Sequence, residues 1–264
     1  MFRKFWRVFF ISLFLMISSA PFVYATPFDI KFTLTDFTTE QESVFARAEN
    51  YWESVISGYQ AGIDIDSLNI SAAMVELDGK GGTLGNGGPN LVIEQGGYFL
   101  ATSGIINLDS DDYGTSSNWE FYDTVVHEIA HVIGFGTLWG SEKFPDNEVY
   151  DYKGEEENGT FRYTGAAALA AYRAEYDPDA TYVPVENDGG PGTAGAHWEK
   201  DFFGDEMMTG WSLPQPAFVS RTTLASFVDI GYVLAEQNPV PEPATVFLFG
   251  LGLIGLSGLN RRKS

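Results

Sequence analysis

The run VVHEIAHVIGFGTLWG, Val125 to Gly140, constrains this chain more than any other stretch. His127 and His131 are four residues apart, so on a helix both imidazoles leave from one face and meet within a few ångströms. Phe121, Tyr122, Val125, Val126, Ile129, Ala130 and Ile133 supply apolar stripes at helical spacing. The pattern predicts a helix from about Trp119 to Ile133, ended by Gly134 and Gly136. Two neutral imidazoles in that geometry suit zinc, and Glu128 beside them is placed to hold a water and take its proton. A surface helix with paired histidines is the plainer alternative.

A catalytic zinc takes three protein ligands and keeps one position open. The chain has three histidines, His127, His131 and His197, and no cysteine, so a third histidine ligand has to be His197. Glu199, Asp205 and Glu206 stay open as competitors, any of which would give two histidines and a carboxylate. Zinc lowers the pKa of its water to about 7 and polarises a carbonyl. With Glu128 as general base, returning the proton to the leaving amine, such a site cleaves a peptide bond without a covalent intermediate. Two other functions compete: a zinc hydrolase of a non-peptide bond, and a surface or matrix protein of the same fold with little turnover. The intact Glu128 speaks against the second, since a binding module needs no base.

Other candidates are slighter. Asp109, Asp111 and Asp112 in LDSDDYG form a hard-oxygen set for Ca2+, or a solvated loop that starts the next helix, which is the reading adopted. Trp198, Trp211, Tyr150 and Tyr152 either line a cleft or belong to the core.

Around these motifs the pattern alternates between strand and helix. PFDIKFTLTDF places Phe28, Ile30, Phe32 and Leu34 on one face of a strand. Thr39 and Glu42 read as a capping box, and Val44, Phe45, Ala48, Trp52, Val55, Ile56 and Tyr59 follow as the core face of a long helix. LNISAAMVEL and NLVIEQGGYFLATSGIINLDSDD are strand material, with GKGGTLGNGGPN as a loop between them. An Ala-rich helix is expected near Ala166 to Tyr176, irregular chain from Val183 to Pro216, and a last helix in RTTLASFVDIGYVL with Leu224, Phe227 and Val228 inward.

The ends differ in kind. Arg3, Lys4 and Arg7 precede an apolar run from Val8 to Met16 and then Val23-Tyr24-Ala25, which reads as a secretory signal peptide over residues 1–25. Pro241-Glu242-Pro243 precedes an apolar segment, Ala244 to Leu259, closed by Arg261, Arg262 and Lys263, as in a short membrane helix with a cytoplasmic basic end. The whole chain carries a net charge of -21, and six of its 15 basic residues sit in these two segments, so residues 26–238 are more acidic still. That surface repels nucleic acid and anionic lipid, leaving membrane contact to the C-terminal segment alone. Without cysteine no disulfide can form, and the stability of residues 26–238 has to come from a buried core.

The C-terminal order of parts, residues 239–264, resembles the PEP-CTERM sorting signal of Gram-negative bacteria. That resemblance implies an exosortase-type processing partner, export to the envelope or beyond, and a transient C-terminal helix. The central region resembles the leishmanolysin-like metallopeptidases. A zincin helix breaks at a glycine three residues after its second histidine, as at Gly134. The compact metzincin pattern would put its third histidine at position 137, which is Thr137, a poor zinc ligand. A long insertion in the leishmanolysin-like pattern leads instead to a block like GAHWEKDFFGDEMMTG. The resemblance implies His197 as third ligand and Met208, with Met207 as alternative, as the methionine of a Met-turn beneath the zinc. It also implies a protein or peptide substrate and an α+β metzincin-like zincin fold. In that fold a twisted N-terminal sheet, a long helix and the HExxH helix, ending near residue 136, face an irregular and helical C-terminal lobe across a cleft. The cysteines of eukaryotic members are absent, so a cysteine cannot silence the zinc here.

Overall fold

Alternation along the first strands builds a sheet with one covered face. In the computed structural model, which describes residues 26–140, 150–152, 160–212 and 214–235, β1 (Ile30–Thr35), β3 (Leu68–Val75) and β5 (Tyr98–Asp109) are parallel. β4 (Gly85–Gln95) runs antiparallel to β5 at the edge, giving the order β1-β3-β5-β4. Ile30, Leu68, Ile70, Ala72, Ile106 and Leu108 are buried, while Lys31, Asn69, Ser71 and Ile105 between them are exposed. The buried face receives α1 (Thr39–Val55) and α3 (Trp119–Ile133). Pro89 is tolerated because β4 is an edge strand, where a missing amide donor leaves no partner waiting.

The boundaries of α1 differ from the sequence reading. The cap is Thr38, whose hydroxyl accepts from the Gln41 amide at 3.2 Å while the Gln41 side chain accepts from the Thr38 amide at 3.0 Å. Gln41 is buried and donates to the carbonyls of Gly114 and Ser116, so tertiary contact sets the box one residue earlier than Thr39 and Glu42. The helix stops at Val55; Ile56 and Tyr59 belong to β2 (Ile56–Tyr59), which pairs with β9 (Tyr232–Leu234). That pairing ties the C-terminal part of the chain back to the N-terminal half.

α3 is held at every point the site depends on. Asn118 caps its start by accepting from the Phe121 amide at 3.0 Å. Trp52 of α1 donates its indole N–H to the Val126 carbonyl at 3.1 Å, and Tyr232 of β9 donates to the Ile133 carbonyl at 2.8 Å, satisfying a group the helix end leaves free. Gly134 ends it at φ 136, in backbone space that favours glycine.

The C-terminal segments carry β6 (Tyr150–Tyr152), β7 (Phe161–Tyr163) and β8 (Val183–Pro184) as a small sheet. They also carry α4 (Ala166–Glu175) and α6 (Arg221–Asp229), with the short α2 (Ser110–Tyr113) before α3 and α5 (Lys200–Phe203) after His197. On α6 Phe227 is buried as expected, but Leu224 and Val228 are only partly so. Thr222, Thr223 and Ser226 take the remaining buried places because their hydroxyls are all bonded. Packing here is aromatic: Trp139 lies 4.7 Å from Tyr163 and 4.8 Å from Trp198, and Phe135 lies 4.5 Å from Trp139 and 5.0 Å from Trp198, between ring centroids. Each pair adds about 0.5–1.5 kcal/mol beyond burial, so the cluster binds the turn after α3 to the segment around His197 without a disulfide. Trp198 therefore belongs to the core and not to a cleft wall.

The signal segment and the C-terminal apolar helix read from the sequence lie outside the described residues. Among the described residues, no helix is long and apolar enough to cross a membrane.

Candidate metal centre

His127 and His131 project from one face of α3 with their Nε2 atoms 3.0 Å apart, and His197, 66 residues beyond His131, brings its own Nε2 to 3.0 Å from each. Each ring is oriented by a backbone carbonyl at its far nitrogen: Met207 for His127 at 2.8 Å, Phe135 for His131 at 2.9 Å, Thr193 for His197 at 3.0 Å. A ring nitrogen facing a carbonyl must carry the hydrogen, so the three Nδ1 atoms donate and the three Nε2 atoms carry lone pairs. Those lone pairs converge. Burial keeps the rings neutral, pushing His127 down to about 3, His197 to about 4 and His131 well below the usual imidazole range. Three neutral imidazole donors aimed at one point fit zinc, and each has the outer hydrogen bond that orients metal-ligating histidine.

Among the described residues one group of three potential ligand side chains converges, and it contains no carboxylate. Asp205 accepts from the Gln215 amide and Glu206 is fully buried with both oxygens bonded. Thr137 turns its hydroxyl back to the His131 carbonyl at 2.7 Å. Asp109 caps α2 by accepting from the Asp111 amide at 2.7 Å, and it and Asp112 also tie this turn to the segment before β4, accepting from the Asp78 amide at 3.3 Å and the Gly81 amide at 2.7 Å.

Glu128 is buried next to the trio, and loss of hydration raises its carboxyl to about 8. Beside it runs β4. A Cβ on Gly87 would lie 2.6 Å from the Glu128 carbonyl oxygen and 3.0 Å from its Oε2, so this part of β4 reaches the helix only as glycine. Sequence pattern places Gly85 to Asn90 in a loop; they form the first half of β4, because glycine here answers a close approach and not a turn. Period-two spacing of Gly85 and Gly87 is the one signal of this in the sequence.

The two Met-turn candidates take different places. Met207 lines the cleft and its carbonyl holds His127, while Met208 is fully buried, with its carbonyl accepting from the Trp198 amide at 2.9 Å. The cleft, about 930 Å³, extends from Gly85–Gly87 past Glu128 and the histidines to Trp211. Of the four aromatics suggested as cleft lining, Trp211 has that place; the side chains of Tyr150 and Tyr152 lie outside what is described.

A mixed α and β fold with three convergent imidazoles beside a buried glutamate forms a candidate metal centre on an HExxH helix. Comparison with known families is specific: the leishmanolysin profile matches residues 100–239, and a PEP-CTERM protein-sorting motif matches residues 239–263. The chain belongs to the leishmanolysin family, and its sorting motif marks export to a bacterial cell envelope. It is 31% identical to a leishmanolysin homolog of Crithidia fasciculata over 136 residues, 51% of this chain and 20% of that protein. Likeness to a ciliated left-right organizer metallopeptidase of Xenopus laevis is 31% over 120 residues, covering 40% and 16%. A leishmanolysin-like peptidase of Drosophila pseudoobscura pseudoobscura is 40% identical over 86 residues, covering 32% and 12%. The matched stretch thus spans a fifth or less of these relatives, and β1 to β4 with α1 precede the family match.

Proposed function

We propose that this protein is an exported zinc-dependent endopeptidase with a metzincin-like active site. The observation that carries this reading is the convergence of three neutral Nε2 lone pairs on a point beside Glu128 and an open sheet edge. His127, His131 and His197 would hold zinc, which when bound acts as a Lewis acid that acidifies water and polarises a carbonyl. In this role Glu128 takes the proton of the attacking water on its carboxylate and delivers it to the leaving nitrogen. Gly134 turns the chain off the helix, and the buried Met208 would serve as the Met-turn methionine.

β4 supports a peptide as substrate. It is one of the two edges of the sheet, unpaired on its outer side among the described residues, and lines the cleft through Gly85, Asn86 and Gly87, so an extended chain can add to it by main-chain hydrogen bonds with its scissile bond near Glu128. Before export the chain would carry the signal segment over residues 1–25, and an exosortase-type enzyme of a Gram-negative envelope would process residues 239–264. Digestion of an unfolded protein substrate tests the activity: cleavage within the chain, abolished by chelator and restored by zinc, is expected. Zinc-independent cleavage, or none with the metal bound, would rule it out.

A further inference from the structure

The Met207–Met208 peptide unit is bonded at both ends to ionisable groups. Its carbonyl accepts from Nδ1 of His127 at 2.8 Å, and its N–H donates to Oε2 of Glu206 at 2.5 Å. Glu206 is fully buried, 0% exposed, and among the described residues no cation is bonded to it. Its other oxygen, Oε1, accepts from the Ser220 amide at 2.9 Å, the Ser220 hydroxyl at 3.0 Å and the Thr223 hydroxyl at 2.5 Å. The two hydroxyls also lie 3.1 Å from each other, but their oxygens already have donors: Ser220 accepts from the Thr223 amide, and Thr223 accepts from the Trp198 indole. Burial raises the Glu206 carboxyl above its ordinary range, and the four hydrogen bonds act against that rise. Four donors converging on one carboxyl are the arrangement an anion requires.

We propose that Glu206 is a positioning residue that acts on the metal centre through a peptide bond, with His127 as its target. A carboxylate that accepts from an amide N–H increases the negative charge on the carbonyl oxygen of the same peptide, because the unit is conjugated. That carbonyl is the group that fixes the tautomer and direction of His127, so the anion makes Nε2 a stronger donor, as a carboxylate bonded directly to a ligating histidine does. The same residue reaches the third histidine. Trp198 follows His197 in the chain; its amide donates to the Met208 carbonyl, and its indole reaches Glu206 through Thr223. One buried charge therefore orders two of the three ligand positions from behind them.

This role rests on the zinc-binding reading, and one experiment separates the two. Zinc affinity is measured by competition with a chromophoric chelator for the wild type, Glu206→Gln and Asp229→Asn. Asp229 is a control carboxylate that accepts from the Ala167 and Ala168 amides and from Tyr163 and, among the described residues, has no hydrogen bond to the histidines or to the Met207–Met208 unit. The amide introduced by Glu206→Gln has a single acceptor oxygen and cannot serve both the Met208 amide and the donors on Oε1. The expected result is about 10- to 100-fold weaker zinc binding for Glu206→Gln, with kcat lowered and KM held, and unchanged zinc binding for Asp229→Asn even where its thermal midpoint falls as far. Equal zinc affinity in Glu206→Gln and wild type would overturn the inference while leaving the zinc site standing; a wild type that binds no zinc would overturn the site itself. Should Glu206→Gln not fold, the wild-type amide spectrum decides. The Met208 amide proton is expected far downfield and moving on zinc addition, and an ordinary shift that zinc leaves unmoved would contradict the relay.

Discussion

Gly136 and Ala196 meet backbone to backbone: a Cβ on Gly136 would overlap the Ala196 carbonyl oxygen, and Gly136 has φ 69. The first residue follows the HExxH helix and the second precedes His197, so this contact is where the long excursion after α3 rejoins the site. Gly136→Ala is expected to cost about 2–4 kcal/mol through strain and displacement and to weaken zinc binding by moving His197. Gly97→Ala, at φ 84 with nothing within 4 Å, should show backbone strain alone and normal zinc affinity. Thermal melts and chelator competition on both variants check this.

Gly87→Ala separates metal binding from turnover. The added methyl would press on the Glu128 backbone and Oε2, pushing β4 off α3 without touching a histidine. Zinc content should stay near wild type while kcat/KM falls by at least about tenfold, the scale at which a misplaced general base is felt. Atomic absorption beside a peptide-cleavage assay gives both numbers.

Glu128→Gln should abolish most turnover, by about 100- to 10,000-fold, and also change the pH response of the metal-free protein. Burial lifts the Glu128 carboxyl from an ordinary 4.5 to about 8, so in that interval the folded chain holds a proton that the unfolded chain has lost. The stability this proton confers is present below 4.5 and is lost as pH rises through about 8. The histidines act in the opposite sense. Unfolded, they titrate near 6.5; folded, burial holds His127 at about 3 and His197 at about 4, so stability is complete above 6.5 and falls as acid is added. With chelator present, the melting temperature of the wild type relative to Glu128→Gln should decline up to about pH 8 and then level off. Parallel curves would contradict the burial of this carboxyl in solution.

Trp211 stands 45% exposed in the cleft, fixed by its indole N–H to Oε2 of the buried Glu186 at 3.0 Å. An aromatic surface held open in this way is expected to bind substrate. Trp211→Ala should raise KM by about three- to tenfold, the loss of one aromatic contact, with zinc content unchanged. Steady-state kinetics on a peptide series tests it.

Much of the site is legible in the sequence because it is local or arithmetical. The apolar stripes from Phe121 to Ile133 mark α3, and three histidines in a cysteine-free chain limit the site to one histidine set. What escapes is decided by partners distant in sequence. Ile56 and Tyr59 continue the helical spacing of α1, but Leu234 and Tyr232 pair with them as strand. Gly85 and Gly87 read as loop until Leu108 and Glu128 are seen to occupy the space a side chain would need. Glu206 reads as a rival ligand, since no pattern in EMMTG reveals that its donors come from Ser220 and Thr223.

The central claim is that His197 closes a three-histidine zinc site, and zinc stoichiometry with affinity in single variants tests it most directly. Wild type should bind one zinc per chain; His197→Ala should lose it, while Glu199→Ala and Asp205→Ala, each checked for folding by circular dichroism, should bind as wild type does. Normal zinc binding by folded His197→Ala, together with its loss in either carboxylate variant, would contradict the account.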